Sequence, residues 1–403
     1  ECDRGAEWNT RIYQVKIENG KINWHDEKGL AEHLNLIDSE ECYIDIKPSK
    51  VRNTAQNNYY WAILREFGDQ TGYHPEEMHD VCKSHFKLIT TSEFTIEEFS
   101  EYIGVEHCLP TSHCTDAIHL AMLAMDIGPG DEVIVPDPGF PTYYSTAKMC
   151  GMVPVRIPLK EENYFRMNPD DVAKRITPKT RLIVVNSPQN PTGSVMTQDE
   201  MKAIYQLAEK NDLYIYSDEI YSRMIYDENN FSTPSIYDEC KKRTIVSNGF
   251  SKAFAMTGWR LGAVIGPKEV VERFGMLLQT TSSCVAPFLQ IAGIEAIEGD
   301  QSEVKEMMKK YRERRDLVVS GFNAIPNISC VRPGGAFYAF VNIKRTGMSS
   351  ERIVDYLLEN AGVAVLPGSS FGKYGDDFIR FCYASSKENI QQGLDRIKNS
   401  LTV

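Results

Sequence analysis

The stretch that decides the fold spans residues 247–262 and reads Ser-Asn-Gly-Phe-Ser-Lys-Ala-Phe-Ala-Met-Thr-Gly-Trp-Arg-Leu-Gly. It follows the run Thr244-Ile245-Val246, whose β-branched residues are typical of a strand. Lys252 and Arg260 stand in the loop after that strand. A lysine at such a place is often only a solvated side chain, but a primary amine is also the group that forms a Schiff base with an aldehyde. The other motifs of the chain decide between these two interpretations.

Apolar runs with the length of strands recur along the chain, and each is followed by a loop and a helical pattern. Repeated β-α units of this kind predict a mainly parallel sheet with helices on both faces. Ligands then bind at the carboxyl ends of the strands. The predicted strands lie at residues 132–135, 182–185, 213–216 and 244–246.

Four further motifs lie at strand ends or in loops rich in proline and glycine. They are 136–143 (Pro-Asp-Pro-Gly-Phe-Pro-Thr-Tyr), 186–193 (Asn-Ser-Pro-Gln-Asn-Pro-Thr-Gly), 216–221 (Tyr-Ser-Asp-Glu-Ile-Tyr) and 378–382 (Phe-Ile-Arg-Phe-Cys). Singly, they have ordinary structural explanations: a buried phenylalanine, a turn, a helix cap and a buried ion pair. Together and in this order, with Lys252 in its loop, they resemble the class I/II (fold type I) aminotransferases over residues 104–403.

The resemblance implies a pyridoxal 5'-phosphate (PLP) site. Lys252 would hold the cofactor as a Schiff base, and the negative charge of Asp218 would favour the protonated ring nitrogen. Arg380 would clamp the α-carboxylate of the substrate, because a planar guanidinium binds carboxylates through two parallel hydrogen bonds. The resemblance assigns further cofactor contacts: ring stacking to Phe140, the phenolic oxygen to Asn190 and Tyr221, and the phosphate to Cys114, Thr115, Ser251 and Arg260.

The phosphate loop departs from the pattern of this family. Residues 111–120 read Thr-Ser-His-Cys-Thr-Asp-Ala-Ile-His-Leu and precede a helical run, which suits phosphate binding by backbone N–H groups. The stretch resembles the sugar-aminotransferase branch more than the class I branch. His113 and Cys114 stand where glycine is usual, so we expect the backbone to approach the phosphate less closely.

The chain divides into three segments by composition. All eight histidines precede residue 120, so proton transfer in the later part must use lysine, tyrosine or carboxylates. Residues 11–17 alternate and lead into the turn Glu18-Asn19-Gly20-Lys21, which predicts a hairpin, and the pattern becomes helical from residue 57. The motifs at 332–338 and 366–372 resemble those of the family's small domain. We predict an atypical α+β segment over 1–103, a PLP-binding large domain over 104–292 and a smaller α+β domain over 293–403.

Residues 57–61 read Asn-Asn-Tyr-Tyr-Trp and residues 71–79 read Thr-Gly-Tyr-His-Pro-Glu-Glu-Met-His. On these residues, about the first hundred of the chain resemble small phage-encoded recombination-associated proteins. The N-terminal arm that aminotransferases usually place there is not recognisable. Residues 79–85 contain His79, Cys82 and His85 at helical spacing, but a fourth ligand is missing, so we predict no metal site.

Charge and cysteine usage limit the classes of partner. A net charge of -12 argues against a whole-protein interaction with nucleic acid or anionic membrane. No apolar run approaches the roughly 20 residues that span a bilayer. Ten cysteines are scattered without a framework spacing, which indicates free thiols and a cytoplasmic protein. The charged run of residues 305–315 is predicted to be an exposed helix with Met307, Met308 and Tyr311 facing inward.

The predicted function is transfer of an amino group between an α-amino acid and a 2-oxo acid by a ping-pong mechanism. The resemblance also implies a homodimer. Two alternatives stay open from the sequence. One is a PLP-dependent lyase on the same fold, since fold alone does not decide the reaction. The other is a nucleic-acid-associated protein that acts through residues 1–103, with basic residues at 47–52 and aromatic residues at 57–61.

Overall fold

The computed structural model describes residues 15–18, 21–24, 107–111, 114–227, 229–282 and 284–402. Two compact units divide the chain, Glu1–Ser92 and Glu93–Val403. In the first unit, β1 (Val15–Glu18) pairs antiparallel with β2 (Lys21–Trp24), and Glu18 lies opposite Lys21. The predicted hairpin is therefore confirmed. The predicted helices from residue 57 onward and the metal candidates His79, Cys82 and His85 lie outside the described residues.

The second unit is built on a seven-stranded sheet. Its strands are β3 (Cys108–Thr111), β4 (Glu132–Asp137), β5 (Val153–Pro158), β6 (Thr180–Asn186), β7 (Tyr214–Asp218), β8 (Thr244–Gly249) and β9 (Gly262–Ile265). Their order is β3-β9-β8-β7-β6-β4-β5, with parallel pairing from β8 through to β5 and antiparallel pairing of β9 with both its neighbours. The mainly parallel sheet and its four predicted strands are confirmed.

Helices cover both faces of this sheet. They are α1 (Cys114–Ala124), α2 (Pro141–Met149), α3 (Pro169–Ala173), α4 (Gln198–Lys210), α5 (Lys268–Thr281) and α6 (Pro287–Glu298). Alternate residues of β6 face opposite sides, as the period of a strand requires. Leu182 and Val184 pack in one core with residues of α1 and α5, whereas Ile183 and Val185 pack in another with residues of α4. Burial of each such side chain contributes about 1.5–3 kcal/mol.

A second, antiparallel sheet lies in the C-terminal part of this unit. Its strands are β10 (Ser329–Cys330), β11 (Tyr338–Asn342), β12 (Leu366–Pro367) and β13 (Phe378–Cys382), in the order β10-β11-β13-β12. Helices α7 (Ser302–Asn323), α8 (Ser350–Ala361) and α9 (Lys387–Leu401) pack on it around the fully buried Phe322, Leu357 and Ile397. The predicted fold class is thereby confirmed.

One expectation about α7 was wrong. Met308 and Tyr311 pack against the core as predicted, but Arg315, the last residue of the supposedly exposed run, is fully buried. Its guanidinium donates to both carboxylate oxygens of Asp227, at 2.6 and 3.0 Å, and also to Asp316. A guanidinium tolerates burial when its donors are paired in this way.

Among the residues that the structure describes, no helix is both long and apolar enough to cross a membrane. Cys240 and Cys330 are buried free thiols. The same residues contain no group of His, Cys, Asp or Glu side chains suited to a metal ion.

Candidate active site

The parallel strands bring three of the motifs to one edge of the large sheet. Asn186 of β6 lies opposite Asp218 of β7, and Asp218 lies opposite Ser247 of β8. The loops that follow these residues therefore leave the sheet side by side. The structure thus assembles the predicted motifs at the carboxyl ends of the strands.

Asp218 is a buried carboxylate at the centre of this edge. Its Oδ2 accepts a hydrogen bond of 2.6 Å from the Tyr143 phenol, and its Oδ1 accepts one of 3.2 Å from the Ile220 amide. Burial raises the pKa of Asp218, while these two hydrogen bonds and the positive charge of Lys252 act to lower it. A nearby cation therefore stabilises the ionised form of this buried carboxylate.

Lys252 is half-buried in the loop after β8. Its charge acts on Asp218, and its Nζ lies 5.5 Å from the centre of the Phe337 ring. Asp218 ends a strand of the large sheet and Phe337 immediately precedes β11 of the smaller sheet, so the lysine interacts with groups from both. The amine of Lys252 therefore interacts with Asp218, the carboxylate that the sequence analysis assigned to the same site.

Ser251 and Arg260 lie together at the base of the same loop. Gly249 pairs with Gly262, and the amide of Phe250 donates to the carbonyl of Leu261 at 3.2 Å. The next residues on the two sides are Ser251 and Arg260. Thr257 links them, because its hydroxyl donates to the Ser251 carbonyl and its own carbonyl accepts from Arg260 Nη1, both at 2.9 Å. Arg260 is exposed, so its other donors remain open to an anion.

A tyrosine pair forms the side of the site near the smaller sheet. The hydroxyls of Tyr221 and Tyr338 are hydrogen-bonded at 2.8 Å, and the Phe337 ring packs edge-on against Tyr221. Burial is the main cause that raises the pKa of Tyr221 well above its ordinary value, so the phenol stays protonated. Tyr221 therefore retains a donor for a polar acceptor.

Arg380 reaches the same place from β13. Its Nη1 donates to Oδ1 of Asn190 at 2.9 Å, and its guanidinium lies 4.4 Å from the Tyr338 ring and 4.8 Å from the Phe371 ring. Its Nε is buried and has no hydrogen-bond partner among the described residues. A buried donor of this kind favours an acceptor that is supplied from outside the protein.

Asn190 connects Arg380 to the acidic centre. The Asn190 backbone N–H donates to Oδ1 of Asn186 at 2.9 Å, and Asn186 Nδ2 donates to the Asp218 backbone carbonyl at 3.0 Å. Both asparagines are buried. The side chains of the loop 186–193 therefore fix it between the Asp218 backbone and the Arg380 guanidinium.

Phe140 lies at the start of α2, where it occupies the N-cap position. Its ring packs edge-on against Tyr143, with 5.7 Å between the ring centres. Because Tyr143 bonds Asp218, this contact brings Phe140 to the same edge of the sheet. The side chains of Cys114 and Thr115, predicted for the phosphate, lie outside the described residues, although the backbone of α1 begins at Cys114.

The sequence reasoning missed several residues of the site. Tyr143 stands three positions after Phe140, one helical turn away, and this spacing was the available signal. Phe337 and Tyr338 belong to the motif at 332–338, which indicated the small domain but no role at the site. Asn186 carried no signal of its own, because its function depends on a loop conformation.

The residues fit the cofactor that the resemblance implies. A pyridine ring needs a buried anion near its nitrogen, and its phosphate needs donors at the opposite end. Asp218 supplies the first, and the corner formed by Ser251, Thr257 and Arg260 supplies the second. The Arg380 Nε, which none of the described residues engages, leaves a further position for a carboxylate.

Comparisons with known proteins agree with this geometry. The family model described as aminotransferase class I and II matches residues 86–397. An aspartate aminotransferase of Pyrococcus horikoshii is 41% identical over 315 residues, which are 77% of this chain and 80% of the relative. An aromatic-amino-acid aminotransferase of Thermococcus litoralis is 37% identical over 321 residues, covering 78% and 82% of the two chains.

Solved structures show the same likeness. The aromatic aminotransferase of P. horikoshii matches with a TM-score of 0.73 at 32% identity, over 92% of this chain and 98% of that one. The aspartate aminotransferase of Thermus thermophilus with maleate matches with a TM-score of 0.70 at 35% identity, over 75% and 79%. The chain therefore belongs to the class I and II aminotransferases, enzymes that use pyridoxal 5'-phosphate to transfer an amino group from an amino acid to an oxo acid.

Proposed function

We propose that Lys252 is the catalytic amine of this transfer. The observation that carries the proposal is the position of Lys252 in the loop after β8, with its Nζ 5.5 Å from the centre of the Phe337 ring and its charge acting on the buried Asp218. Bound at this site, the cofactor supplies an aldehyde and an electron-accepting ring. Lys252 Nζ would hold the aldehyde end and, once displaced by the substrate amine, would accept and return the substrate proton.

Asp218 keeps the ring nitrogen protonated in this proposal. Its carboxylate is buried, and the hydrogen bond from Tyr143 stabilises the charged form. Asn190 and Tyr221 would donate to the phenolic oxygen, and Phe140 would pack on the ring. The contacts of these side chains support the roles, because each is held by a neighbouring side chain: Asn190 by Arg380, Tyr221 by Tyr338 and Phe140 by Tyr143.

Ser251 and Arg260 would hold the phosphate, together with Cys114 and Thr115 at the start of α1. The Thr257 hydrogen bonds support this assignment, since they set Arg260 and Ser251 at one corner of the loop. A guanidinium also provides a permanent charge for a phosphate.

Arg380 would bind the α-carboxylate of the substrate. Its Nη1 donates to Asn190, and among the described residues no hydrogen bond engages its Nε or Nη2, so these two groups are left for the ligand. The Tyr338 and Phe371 rings on the guanidinium exclude water and strengthen a charge-assisted hydrogen bond. The donor is therefore an α-amino acid, and the acceptor a 2-oxo acid. Aspartate and aromatic amino acids are the first substrates to test, since these classes appear in the names of the relatives.

We also propose that the enzyme is a homodimer. Helix α6 is mostly apolar, yet the residue that it buries is Gly293, and Phe288 is 54% exposed. Trp259, next to Arg260, is 43% exposed. Apolar surface of this kind close to a site favours contact with another copy. Sedimentation velocity would show twice the chain mass if this is right.

Two further assignments complete the proposal. The large domain would span 104–292 and the small domain 293–403, after the atypical segment 1–103. The separate clusters around Phe322 in the smaller sheet's core and around Phe274 in the large one support the division, while Phe340 and Phe378 pack in a cluster shared by both sheets. The cytoplasm would be the compartment, as the scattered cysteines without a framework spacing suggest.

A cofactor-trapping experiment tests the role of Lys252. The protein is mixed with PLP, reduced with borohydride and digested, and the modified peptide is located by mass spectrometry. We expect the label on Lys252 and its loss in Lys252→Ala, whereas Lys202→Ala, at an exposed position of α4, keeps the label. Label on another lysine would refute the assignment.

A single-turnover experiment tests the reaction type. The loaded enzyme is mixed with each amino acid of a panel in the absence of a 2-oxo acid. Amino transfer leaves the amino group on the cofactor and releases the matching 2-oxo acid. A lyase would instead release ammonia or a shortened product over repeated turnovers, and this result would favour the alternative reaction on the same fold.

A further inference from the structure

Asp137 is a buried carboxylate outside the set of residues described so far. It ends β4, and its side chain is 3% exposed. Its Oδ2 accepts a hydrogen bond from the Lys373 amide and its Oδ1 one from the Tyr374 amide, each of 3.0 Å. The guanidinium of Arg156 lies 3.1 Å from the same Oδ2. Asp137 thus joins the large sheet to a loop that precedes β13.

The loop approaches Asp137 as closely as glycine allows. Gly372 has a φ of +135°, and a Cβ built there would overlap the Asp137 carboxylate. The residue before it, Phe371, accepts a hydrogen bond of 2.8 Å at its carbonyl from the Gly139 amide. Contacts from β4 and from the loop after it therefore fix residues 371–374 on both sides.

Phe371 carries this restraint to Arg380. Its ring lies 4.8 Å from the Arg380 guanidinium and is itself buried. The Nε of Arg380 has no partner in the described residues, so protein hydrogen bonds hold only part of the group. The Phe371 ring, together with the Tyr338 ring at 4.4 Å, therefore helps to set the orientation of the guanidinium and of the N–H groups that remain for a ligand.

We propose that Asp137 is a positioning residue for substrate binding, which acts through the loop 371–374 and Phe371 on Arg380. The inference rests on the proposed role of Arg380 as the clamp for the substrate α-carboxylate. A carboxylate is needed because it accepts two amides and a guanidinium at once. An asparagine would turn an N–H₂ group toward one of these donors and lose the charge.

The test uses two substrates that differ only in the α-carboxylate: an amino acid that the enzyme accepts and the matching amine without that group. Arg380 contributes to the first substrate alone. We expect Asp137→Asn to lower the ratio of their kcat/KM values by roughly 10-fold, mainly through a higher KM for the amino acid. General structural damage would lower both values together and leave the ratio unchanged.

Two comparisons accompany this variant. Asp131→Asn is the matched control: it removes a carboxylate paired with Arg181 at 3.4 Å just before the other end of β4, and the ratio should stay the same. Hydrogen exchange of the protein without cofactor gives a second measurement. The amides of Lys373 and Tyr374 should exchange faster in Asp137→Asn and unchanged in Asp131→Asn.

The outcomes separate the inference from the function on which it rests. If Arg380→Ala lowers the ratio and Asp137→Asn does not, the positioning role is refuted while the clamp stands. If Arg380→Ala leaves the ratio unchanged, both are refuted. If Asp137→Asn does not fold, Gly372→Ala decides, because its methyl group pushes the loop away from Asp137: a lower ratio supports the proposal and an unchanged ratio refutes it.

Discussion

The phenol of Tyr143 donates a hydrogen bond of 2.6 Å to Oδ2 of Asp218, and both side chains are buried. The bond joins the first helix after β4 to the end of β7, two elements that are distant in sequence. A hydrogen bond to a charged group contributes about 1.5–3 kcal/mol. It therefore decides how readily Asp218 stays ionised.

Tyr143→Phe should weaken cofactor binding at the acid side of the pH range. Burial raises the pKa of Asp218 and the Tyr143 bond lowers it, so removal of the bond raises the pKa further. The ionised fraction at a given pH then falls, and binding that needs the carboxylate is lost at a higher pH. Titration of the apoenzyme with PLP between pH 5 and 8 should show an affinity lower by roughly 10-fold at the acid end.

Tyr144→Phe is the control for this measurement. Tyr144 is the adjacent tyrosine, and its ring keeps the contact with the Arg156 guanidinium at 4.4 Å when the hydroxyl is removed. Its pH profile should match that of the unaltered enzyme. An unshifted profile in Tyr143→Phe would contradict the role of the bond.

Glu219→Gln should change how stability depends on pH. Burial is the main cause that raises the pKa of Glu219 to about 7, against hydrogen bonds from Thr233 and Ser217. The folded state thus retains a proton that the unfolded chain has lost above its ordinary pKa of 4.5. Stability from this group is present below that ordinary value and is lost as the pH rises toward 7.

Urea unfolding of the apoenzyme at pH 5 and pH 8 measures this effect. The side-chain amide introduced by Glu219→Gln keeps an oxygen that can accept from Ser217, so the variant should be about 1–3 kcal/mol more stable than the parent at pH 8 and similar at pH 5. Glu209→Gln, at an exposed position of α4, should not alter the pH dependence. Equal stability of Glu219→Gln and parent at pH 8 would count against a buried charge.

Arg315→Ala should destabilise the enzyme by about 3 kcal/mol. The fully buried guanidinium donates to Asp227 and Asp316 and lies 4.7 Å from the Tyr226 ring, so its loss removes these charge-assisted hydrogen bonds and opens a cavity. Arg332→Ala is the matched control, because Arg332 pairs with the same two aspartates but is 52% exposed. It should cost less than about 1 kcal/mol. Similar urea midpoints for both variants would show that burial is not the cause.

Gly193→Ala should be more harmful than Gly347→Ala, although both glycines have nearly the same positive φ, +70° and +72°. A Cβ at Gly193 would lie 2.6 Å from Pro333 and 2.9 Å from the Gly335 carbonyl. A Cβ at Gly347 would have no described atom within 4 Å. Strain alone costs about 1 kcal/mol, and the overlap adds about 1–3 kcal/mol. Thermal unfolding of both variants measures the difference, and equal losses would leave strain as the sole cause.

The strands were predictable because their pattern is local. The runs before Asn186, Asp218 and Ser247 are rich in β-branched, aliphatic or tyrosine residues, as is typical of buried parallel strands. The ends of such strands meet at one edge in any fold of this class, so the neighbourhood of Asp218 and Lys252 also followed from the pattern. The hairpin that ends at Trp24 was predictable from a local signal as well, the Asn-Gly pair at positions 19 and 20 of the sequence.

Contacts between distant segments were not predictable in this way. Nothing in residues 305–315 distinguishes the buried Arg315 from the exposed lysines before it, since burial depends on Asp227, 88 positions earlier. The same holds for Tyr338, whose hydroxyl bonds Tyr221 across the two sheets. A sequence pattern records the spacing of a residue in its own element and not the element that packs against it.

The sequence by itself determined the parallel sheet, the lysine loop and the family to which the chain belongs, because these depend on side-chain periodicity and on residues that act at short separations. Only the tertiary structure decided which hydrogen bonds hold these groups: Tyr143 on Asp218, Asn190 on Arg380, and Asp137 on the loop before β13. The physical reason is that a polar group loses its water on burial and must find a partner, and that partner is set by how the elements pack.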